Sequence, residues 1–205
     1  MRLPDGVRSR AVLMGTSLAA DPGLPELPAV RSGLAELAEV LVDGGMRCSV
    51  LADRTVRVFG DELELAASQA EELLFAYYSG HGVLDGRGRL FLAAPDTRLD
   101  RVRWTALPFR DVRDVLLDAP ARQRVLVLDC AFTAEAVAAL GDPRSVLSEQ
   151  LDIPGVPTLV AACTSGLLTR RLVDVLRADG TADRLSAVYR GLLGAGRPKP
   201  WTLRN

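Results

Sequence analysis

The fold class is indicated by the stretch Leu73-Leu74-Phe75-Ala76-Tyr77-Tyr78-Ser79-Gly80-His81-Gly82, an apolar run of strand length that ends at the only histidine of the chain. A second apolar run, Val125-Leu126-Val127-Leu128, stops in the same manner at Asp129-Cys130-Ala131. Near-continuous apolar character is typical of strands that are covered on both faces of a parallel sheet. Because sites in such sheets form at the carboxyl ends of the strands, the two runs predict one shared site.

The composition indicates one domain with a substantial core. The chain has 205 residues, 48% of them hydrophobic, and a net charge of −1, which gives no electrostatic basis for nucleic acid as a partner. No signal peptide is evident, and no run approaches the roughly 18 apolar residues of a membrane span. Cys48, Cys130 and Cys163 are widely spaced and form no CxxC pair, which favours a reducing compartment over a disulfide framework or a zinc site. We therefore expect a cytoplasmic protein without membrane insertion.

Strand-like and helix-like segments alternate along the chain, which is the pattern of an α/β fold. Strands are predicted over residues 10–15, 47–51, 73–79, 124–129 and 158–163, with a hairpin over 83–92. Helices are predicted over residues 29–42, 61–72, 108–117, 133–140, 167–177 and 182–193. We predict a single domain over residues 1–197, with a mostly parallel central sheet of about six strands and helices on both faces. Residues 198–205 are expected to be a short tail, consistent with truncation from a longer protein.

Reactive residue types follow several of the predicted strands. Thr16-Ser17 follow the first strand, His81 the third, Asp129 to Ala131 the fourth, and Thr164-Ser165 the fifth. A Cys–His pair at a shared sheet edge makes a nucleophile when the imidazole takes the thiol proton and an oxyanion hole binds the tetrahedral oxygen. Gly82 would let the backbone N–H beside the histidine approach a substrate closely. We therefore assign Gly82 to a predicted oxyanion hole.

Together, Tyr77-Tyr78-Ser79-Gly80-His81-Gly82 and Val125-Leu126-Val127-Leu128-Asp129-Cys130 resemble the caspase/metacaspase cysteine peptidases of the caspase–hemoglobinase fold. The likeness is to the prokaryotic branch found in actinobacteria, and it extends to residues 11–17, 27–31 and 91–97. The resemblance implies a bacterial endopeptidase with a Cys–His dyad, with His81 as general base, no cofactor, and a protein or peptide substrate. Some bacterial relatives act in antiphage defence by cutting a pore-forming gasdermin, so a bacterial gasdermin is a candidate partner.

One departure from the family pattern concerns the nucleophile. The branch reads Asp-Cys-Cys, in which the second cysteine attacks, whereas this chain reads Asp129-Cys130-Ala131. Strand alternation supports that register, since residues 129 and 131 project to one side and Cys130 to the other. Three interpretations stay open. Ala131 is an engineered replacement of the catalytic cysteine that makes the chain catalytically dead, or the chain is a natural pseudoprotease that holds a peptide, or the register shifts by one and Cys130 is the nucleophile.

The resemblance also implies substrate-binding residues. In metacaspases the aspartate two positions before the nucleophile lines the primary specificity pocket, and Asp129 matches it. A carboxylate there favours Arg or Lys before the scissile bond, while a structural strand-end carboxylate is the alternative for Asp129. Ser17, Thr164 and Ser165 complete the predicted substrate-binding set.

Other charged and aromatic residues are assigned simpler roles. Calcium-dependent metacaspases carry an acidic cluster in the loop after the histidine, whereas Asp85 is the only acidic residue between His81 and Asp96 in this chain. The resemblance therefore implies no calcium requirement, and we predict no metal site. Arg31 is interpreted as a solvated helix charge. Trp104 and Trp201 are predicted to be packing residues.

Overall fold

The structure is a computed structural model that describes residues 5–140, 142, 145–162, 166–178 and 201–203. Its strands and helices follow one another in the order β1 (Arg10–Gly15), α1 (Ala29–Asp43), β2 (Arg47–Ala52), α2 (Val56–Gln69), β3 (Leu73–Leu84), β4 (Leu90–Leu92), α3 (Val102–Thr105), β5 (Leu107–Pro108), α4 (Phe109–Asp118), β6 (Gln123–Phe132), α5 (Ala134–Leu140), α6 (Val146–Leu151), β7 (Thr158–Ala162), α7 (Leu167–Ala178) and β8 (Trp201–Leu203). The helix predicted over 182–193 lies outside the described residues.

The sheet is mostly parallel, as predicted. Its strands lie in the order β2-β1-β3-β6-β7-β8, and every neighbouring pair in that row is parallel. Two short strands extend it, because β4 pairs antiparallel with the end of β3 and β5 pairs with β4. The chain moves outward in opposite directions from β1 and β3. The crevice outside their carboxyl ends is therefore the switch point at which sites form in open α/β sheets.

Helices cover both faces of the sheet. One face is packed by α1 and α7, whose Leu34, Leu37 and Leu172 lie in a single buried cluster with alternate strand residues such as Leu13 and Val127. The opposite face is packed by α2, α4, α5 and α6 through a second cluster. Because side chains alternate between the faces of a strand, both sets of positions are buried. This explains the near-continuous apolar character of the central strands.

Several predicted boundaries were wrong. His81 and Ala131 lie inside β3 and β6 rather than just past their ends, because Gly82–Leu84 continue β3 by pairing with β4 and residues 81–82 stay in register with β6. Helix α2 begins at Val56 rather than Asp61. Burial of Phe59 outweighs the low helix propensity of Gly60. Residues 201–203, assigned to a tail, form the edge strand β8.

Trp104 is not a packing residue, in contrast to the prediction. Its side chain is 86% exposed, whereas Val102 and Ala106 on either side of it are buried. Residues two apart on a helix do not face the same side. The inward positions are taken by Val102 at the start of this short helix and by Ala106 directly after its end. Trp104 is consequently presented to solvent.

Among the described residues, no helix is both long enough and apolar enough to cross a membrane.

Candidate active site

His81 and Ala131 lie side by side on neighbouring strands. They are paired Cα positions in the parallel ladder of β3 and β6. Paired positions of adjacent strands project to the same face of a sheet, so the imidazole and the Ala131 methyl group share a face. Both residues are largely buried, with exposed fractions of 8% and 6%. The structure therefore brings the two central residues of the predicted dyad together.

Cys130 is on the opposite face of the sheet. Its exposed fraction is 0%, and it packs in the cluster formed by α2, α4, α5 and α6. The structure does not bring it to the face that His81 shares with Ala131. The other described cysteine, Cys48, lies on β2 and is separated from β3 by β1. Burial raises its pKa to about 11, which keeps the Cys48 thiol protonated near neutral pH. Cys163 lies outside the described residues.

A backbone carbonyl orients the imidazole of His81. The Nε2 atom lies 2.7 Å from the carbonyl oxygen of Pro25. A carbonyl oxygen can only accept, so Nε2 carries the proton and, in the neutral ring, Nδ1 is left with a lone pair. This arrangement prepares Nδ1 as a proton acceptor. Sequence reasoning did not predict Pro25; the signal was the proline-rich and glycine-rich segment between the first strand and the first helix.

The segment that carries Pro25 is the β1–α1 loop, residues 16–28, and several hydrogen bonds hold it. The Leu27 N–H donates to the Ser17 carbonyl at 2.7 Å, and the Ala20 N–H donates to the Pro95 carbonyl at 2.7 Å. The Asp21 carboxylate accepts from the Leu99 N–H at 2.8 Å. These bonds close the loop over the carboxyl ends of β1 and β3. Pro25 is thereby held beside the histidine.

Ser17, a predicted substrate-binding residue, belongs to a polar cluster at the start of this loop. The Asp53 carboxylate accepts from the Ser17 N–H at 2.7 Å and from the Ser17 hydroxyl at 2.8 Å. It also accepts from Arg31 Nε at 2.6 Å. Burial would raise the pKa of Asp53, but the bonds from Ser17 and Arg31 outweigh it and lower that pKa. Arg31 is therefore the ion-pair partner of Asp53, and the Ser17 hydroxyl is engaged within the protein.

Asp53 itself was missed by the sequence analysis. It adopts a left-handed backbone conformation with φ of 52°, which a residue other than glycine adopts only occasionally and aspartate more readily than most. Its N–H donates to the Gly15 carbonyl at 2.8 Å, so this conformation turns the chain back toward the end of β1. The available signal was its place two residues after the end of a predicted strand, the same criterion that selected Ser17 and His81.

Asp129 is buried, and its carboxylate accepts hydrogen bonds from the first turn of α7. Its exposed fraction is 3%, and its Oδ2 accepts from the Thr169 hydroxyl at 2.6 Å and from the Thr169 N–H at 3.3 Å. The Thr169 hydroxyl also contacts the hydroxyl of Tyr77. Burial, and next the charge of Asp129, raise the pKa of Tyr77, so its phenol stays protonated. The assignment of Asp129 to a specificity pocket stays a prediction. Thr164 and Ser165 lie outside the described residues.

Gly82, the predicted oxyanion-hole residue, is required by packing. A Cβ atom on Gly82 would lie 2.2 Å from an edge carbon of the Phe132 ring. Phe132 is its paired position on β6, so the absence of a side chain lets the ring lie against the backbone beside His81. The role of the Gly82 N–H in binding an oxyanion stays a prediction.

The residues that the structure describes contain no group of three or more His, Cys, Asp or Glu side chains that could hold a metal ion. Asp85, which follows β3, is paired with Arg89 at 2.5 Å. Burial would raise the pKa of Asp85, but the bonds from Arg89 lower it on balance.

The comparison with solved structures bears on this arrangement. The chain is similar to the crystal structure of the Drosophila initiator caspase Dronc, with a TM-score of 0.59 over 97% of this chain and 78% of that chain. The fold is caspase-like. This confirms the predicted fold, and at 11% sequence identity the likeness concerns the fold alone. No family model matches the chain, and no curated protein matches it. In this caspase-like fold, His81 and Ala131 occupy the carboxyl-terminal parts of the two central strands.

Proposed function

We propose that the chain is a caspase-like cysteine endopeptidase domain in which His81 is the general base and position 131 is the nucleophile site. The observation that carries the proposal is the register of β3 and β6, which sets His81 beside Ala131 on one face of the sheet. The caspase-like fold supports the same class of chemistry. The contact of His81 with Pro25 leaves Nδ1 as the basic atom.

With a cysteine at position 131 the reaction is acyl transfer followed by hydrolysis. Nδ1 of His81 takes the thiol proton, and the thiolate attacks the scissile carbonyl to give a tetrahedral oxyanion. The carbon–nitrogen bond breaks as the imidazolium returns its proton to the leaving amine, and a thioester remains. Water, deprotonated by His81, then releases the acid and regenerates the thiol. An alanine methyl group cannot attack, so this chain is a catalytically dead form of such an enzyme.

Preference for a basic residue before the scissile bond is proposed on Asp129. A guanidinium or ammonium group that reached this carboxylate would gain charge-assisted hydrogen bonds. Thr169 holds Oδ2, so a basic side chain would bind beside Thr169 or displace it. The Ser17, Thr164 and Ser165 positions are proposed to contact the peptide.

The biological role is proposed from the resemblance stated above. It is that of a bacterial, cytoplasmic protease that acts in antiphage defence by cutting a gasdermin-like pore former. Incubating the Ala131→Cys variant with a gasdermin encoded beside its gene tests this role. Cleavage at one site, lost on His81→Ala, supports it, and an intact gasdermin contradicts it.

The second candidate function is a pseudoprotease that binds a peptide without cutting it. Ala131 itself favours this function, because the site has a base and no nucleophile. Such a chain would recruit or regulate a partner through the same cleft.

The test is cleavage of fluorogenic peptides with Arg, Lys, Asp or Ala before the scissile bond. We expect the Ala131→Cys variant to cleave after Arg or Lys, and the Ala131→Cys/His81→Ala variant to be inactive. The Ala131→Ser variant is a matched control that adds a weaker nucleophile of similar size. A folded Ala131→Cys variant that cleaves none of the peptides would contradict the endopeptidase and favour the pseudoprotease.

A further inference from the structure

Trp104 is an exposed aromatic residue on an anchored element. Its exposed fraction is 86%, while Val102 and Ala106 are buried in one small cluster with Leu24 and Phe91. The helix that carries Trp104 is therefore fixed to the body of the protein. Of the exposed large apolar side chains in the part of the chain that the structure describes, Trp104 is the most exposed. Tryptophan and arginine are the residues most enriched where binding energy is concentrated in interfaces.

Two hollows flank this tryptophan. A cavity of about 790 Å³ lies between α3 and the turn that joins β3 to β4, and one of about 180 Å³ lies on the other side, toward β4 and Gln150. Arg89, Arg103 and Trp104 line both. Leu99, which is 40% exposed, and Arg87 line the larger one. We call Trp104, Leu99, Arg87, Arg89 and Arg103 the Trp104 surface.

The charges of the Trp104 surface do not cancel. Asp85 forms an ion pair with Arg89, with 2.5 Å between Oδ2 and Nη2. Asp100 is shared between Arg98 at 3.1 Å and Arg101 at 3.9 Å. Arg87 and Arg103 form no ion pair with any residue that the structure describes. After the internal pairs are counted, these two guanidinium groups remain beside the exposed indole.

We propose that the Trp104 surface docks an acidic segment of a partner polypeptide. Carboxylates of the segment bind Arg87 and Arg103, because a planar guanidinium group can donate two parallel hydrogen bonds to one carboxylate. An apolar side chain of the segment packs on the Trp104 ring and Leu99. The net charge of the chain is −1, which provides no extended positive field for a continuous phosphate backbone. A peptide of mixed apolar and acidic residues therefore fits better than a nucleic acid.

The position of the surface also favours a polypeptide. Leu24, the neighbour of Pro25, packs with Val102 of α3, and Leu99 is bonded to Asp21 of the β1–α1 loop. The docking surface therefore adjoins the loop that orients His81. A segment bound there can belong to the same molecule that enters the candidate cleft. Only this last step rests on the proposed function; the docking does not.

The experiment measures fluorescence anisotropy with the whole chain and three labelled probes at low salt. One probe is a peptide of about twelve residues in which glutamates alternate with leucines. The second carries lysines in place of the glutamates, and the third is a single-stranded oligothymidine. The variants are Trp104→Ala and the double variant Arg87→Glu/Arg103→Glu. The matched control is Arg47→Glu/Arg171→Glu, which changes the net charge equally at two exposed arginines elsewhere.

We expect the acidic probe to bind the unmodified chain about tenfold more tightly than either other probe. In the Arg87→Glu/Arg103→Glu variant, the affinity for the acidic probe should fall at least about tenfold, and the lysine probe should bind more tightly than the acidic one. In Trp104→Ala the affinity for the acidic probe should fall about fivefold, and in the control variant it should stay within about twofold. Equal losses in the two double variants, or no saturable binding of the acidic probe, would overturn the proposal. Tighter binding of the oligothymidine would identify a nucleic-acid surface instead.

Discussion

The imidazole of His81 is tied to the carbonyl oxygen of Pro25, with 2.7 Å between Nε2 and the oxygen. A carbonyl has no proton to give, so this single contact determines which ring nitrogen is protonated. The orientation of the candidate base therefore depends on a backbone atom of the β1–α1 loop.

The tautomer of His81 can be measured directly, because it is the only histidine in the chain. We predict that long-range ¹H–¹⁵N NMR of the neutral ring shows a protonated Nε2 and an unprotonated Nδ1. One set of imidazole signals is expected, with no need for assignment by mutation. A spectrum dominated by the Nδ1–H tautomer would contradict the contact with Pro25.

The Asp53 carboxylate holds the start of the same loop through Ser17 and Arg31. We predict that Asp53→Asn lowers the free energy of unfolding by about 1–2 kcal/mol at pH 7, because charge-assisted hydrogen bonds become neutral ones. Asp61→Asn is the matched control. Asp61 pairs with Arg57 at 3.6 Å on the surface, and exposed pairs contribute little.

The destabilisation caused by Asp53→Asn should become smaller as the pH falls. The pKa of Asp53 is lowered in the folded protein, so its stabilisation is fully present above the ordinary carboxyl pKa of about 4 and is lost as the pH falls through the folded value. Urea unfolding at pH 7 and near pH 3 should show the difference between the two proteins shrinking in acid. A difference that grows in acid would contradict this role of Asp53.

The contact between Thr169 and Asp129 is predicted to stabilise the start of α7. Thr169→Val removes the hydroxyl that lies 2.6 Å from Oδ2 and leaves a buried carboxylate short of a donor, which we expect to cost about 2–3 kcal/mol. Thr169→Ser keeps the hydroxyl and should cost less than about 1 kcal/mol. Chemical denaturation measures both variants, and a larger loss in Thr169→Ser than in Thr169→Val would show that packing of the methyl group, rather than the hydrogen bond, is responsible.

Gly82 and Phe132 are predicted to be coupled. Gly82→Ala places a Cβ atom 2.2 Å from the Phe132 ring, and such overpacking costs about 1–3 kcal/mol. Gly86→Ala is the matched control, since nothing lies within 4 Å of that Cβ position. In a double-mutant cycle with Phe132→Ala, measured by thermal unfolding, the cost of Gly82→Ala should largely disappear. Purely additive losses would contradict the steric account.

Much of the fold could be predicted from the sequence, because strands that are buried on both faces have nearly continuous runs of apolar residues. The runs Leu73–Ser79 and Val125–Leu128 could be assigned to central strands because every residue in them is apolar or small. Strand alternation then separated Cys130 from residues 129 and 131. In the structure Cys130 packs on the opposite face from Ala131. The elements that escaped prediction, such as α3 and α6, are too short to show a helical period.

The contacts that complete the candidate site could not be predicted, because they depend on distances between segments far apart in the chain. Pro25 meets His81 through a carbonyl oxygen, which every residue type possesses. Asp53 meets Ser17 and Arg31 only because β1 and β2 are neighbours and the chain turns at a positive φ. The exposure of Trp104 followed from Val102 and Ala106 taking the inward positions, a choice that composition alone does not make.

The most direct test of the proposed dyad is the pH dependence of alkylation in the Ala131→Cys variant, with the modified residue identified by peptide mass. An ordinary thiol has a pKa of about 8.5, and a neighbouring imidazole stabilises the thiolate. We predict that the introduced thiol reacts rapidly near pH 6–7, and that His81→Ala moves its reactivity up to the ordinary range. A profile at the ordinary pKa that is unchanged by His81→Ala would show that His81 does not activate position 131, and would contradict the account.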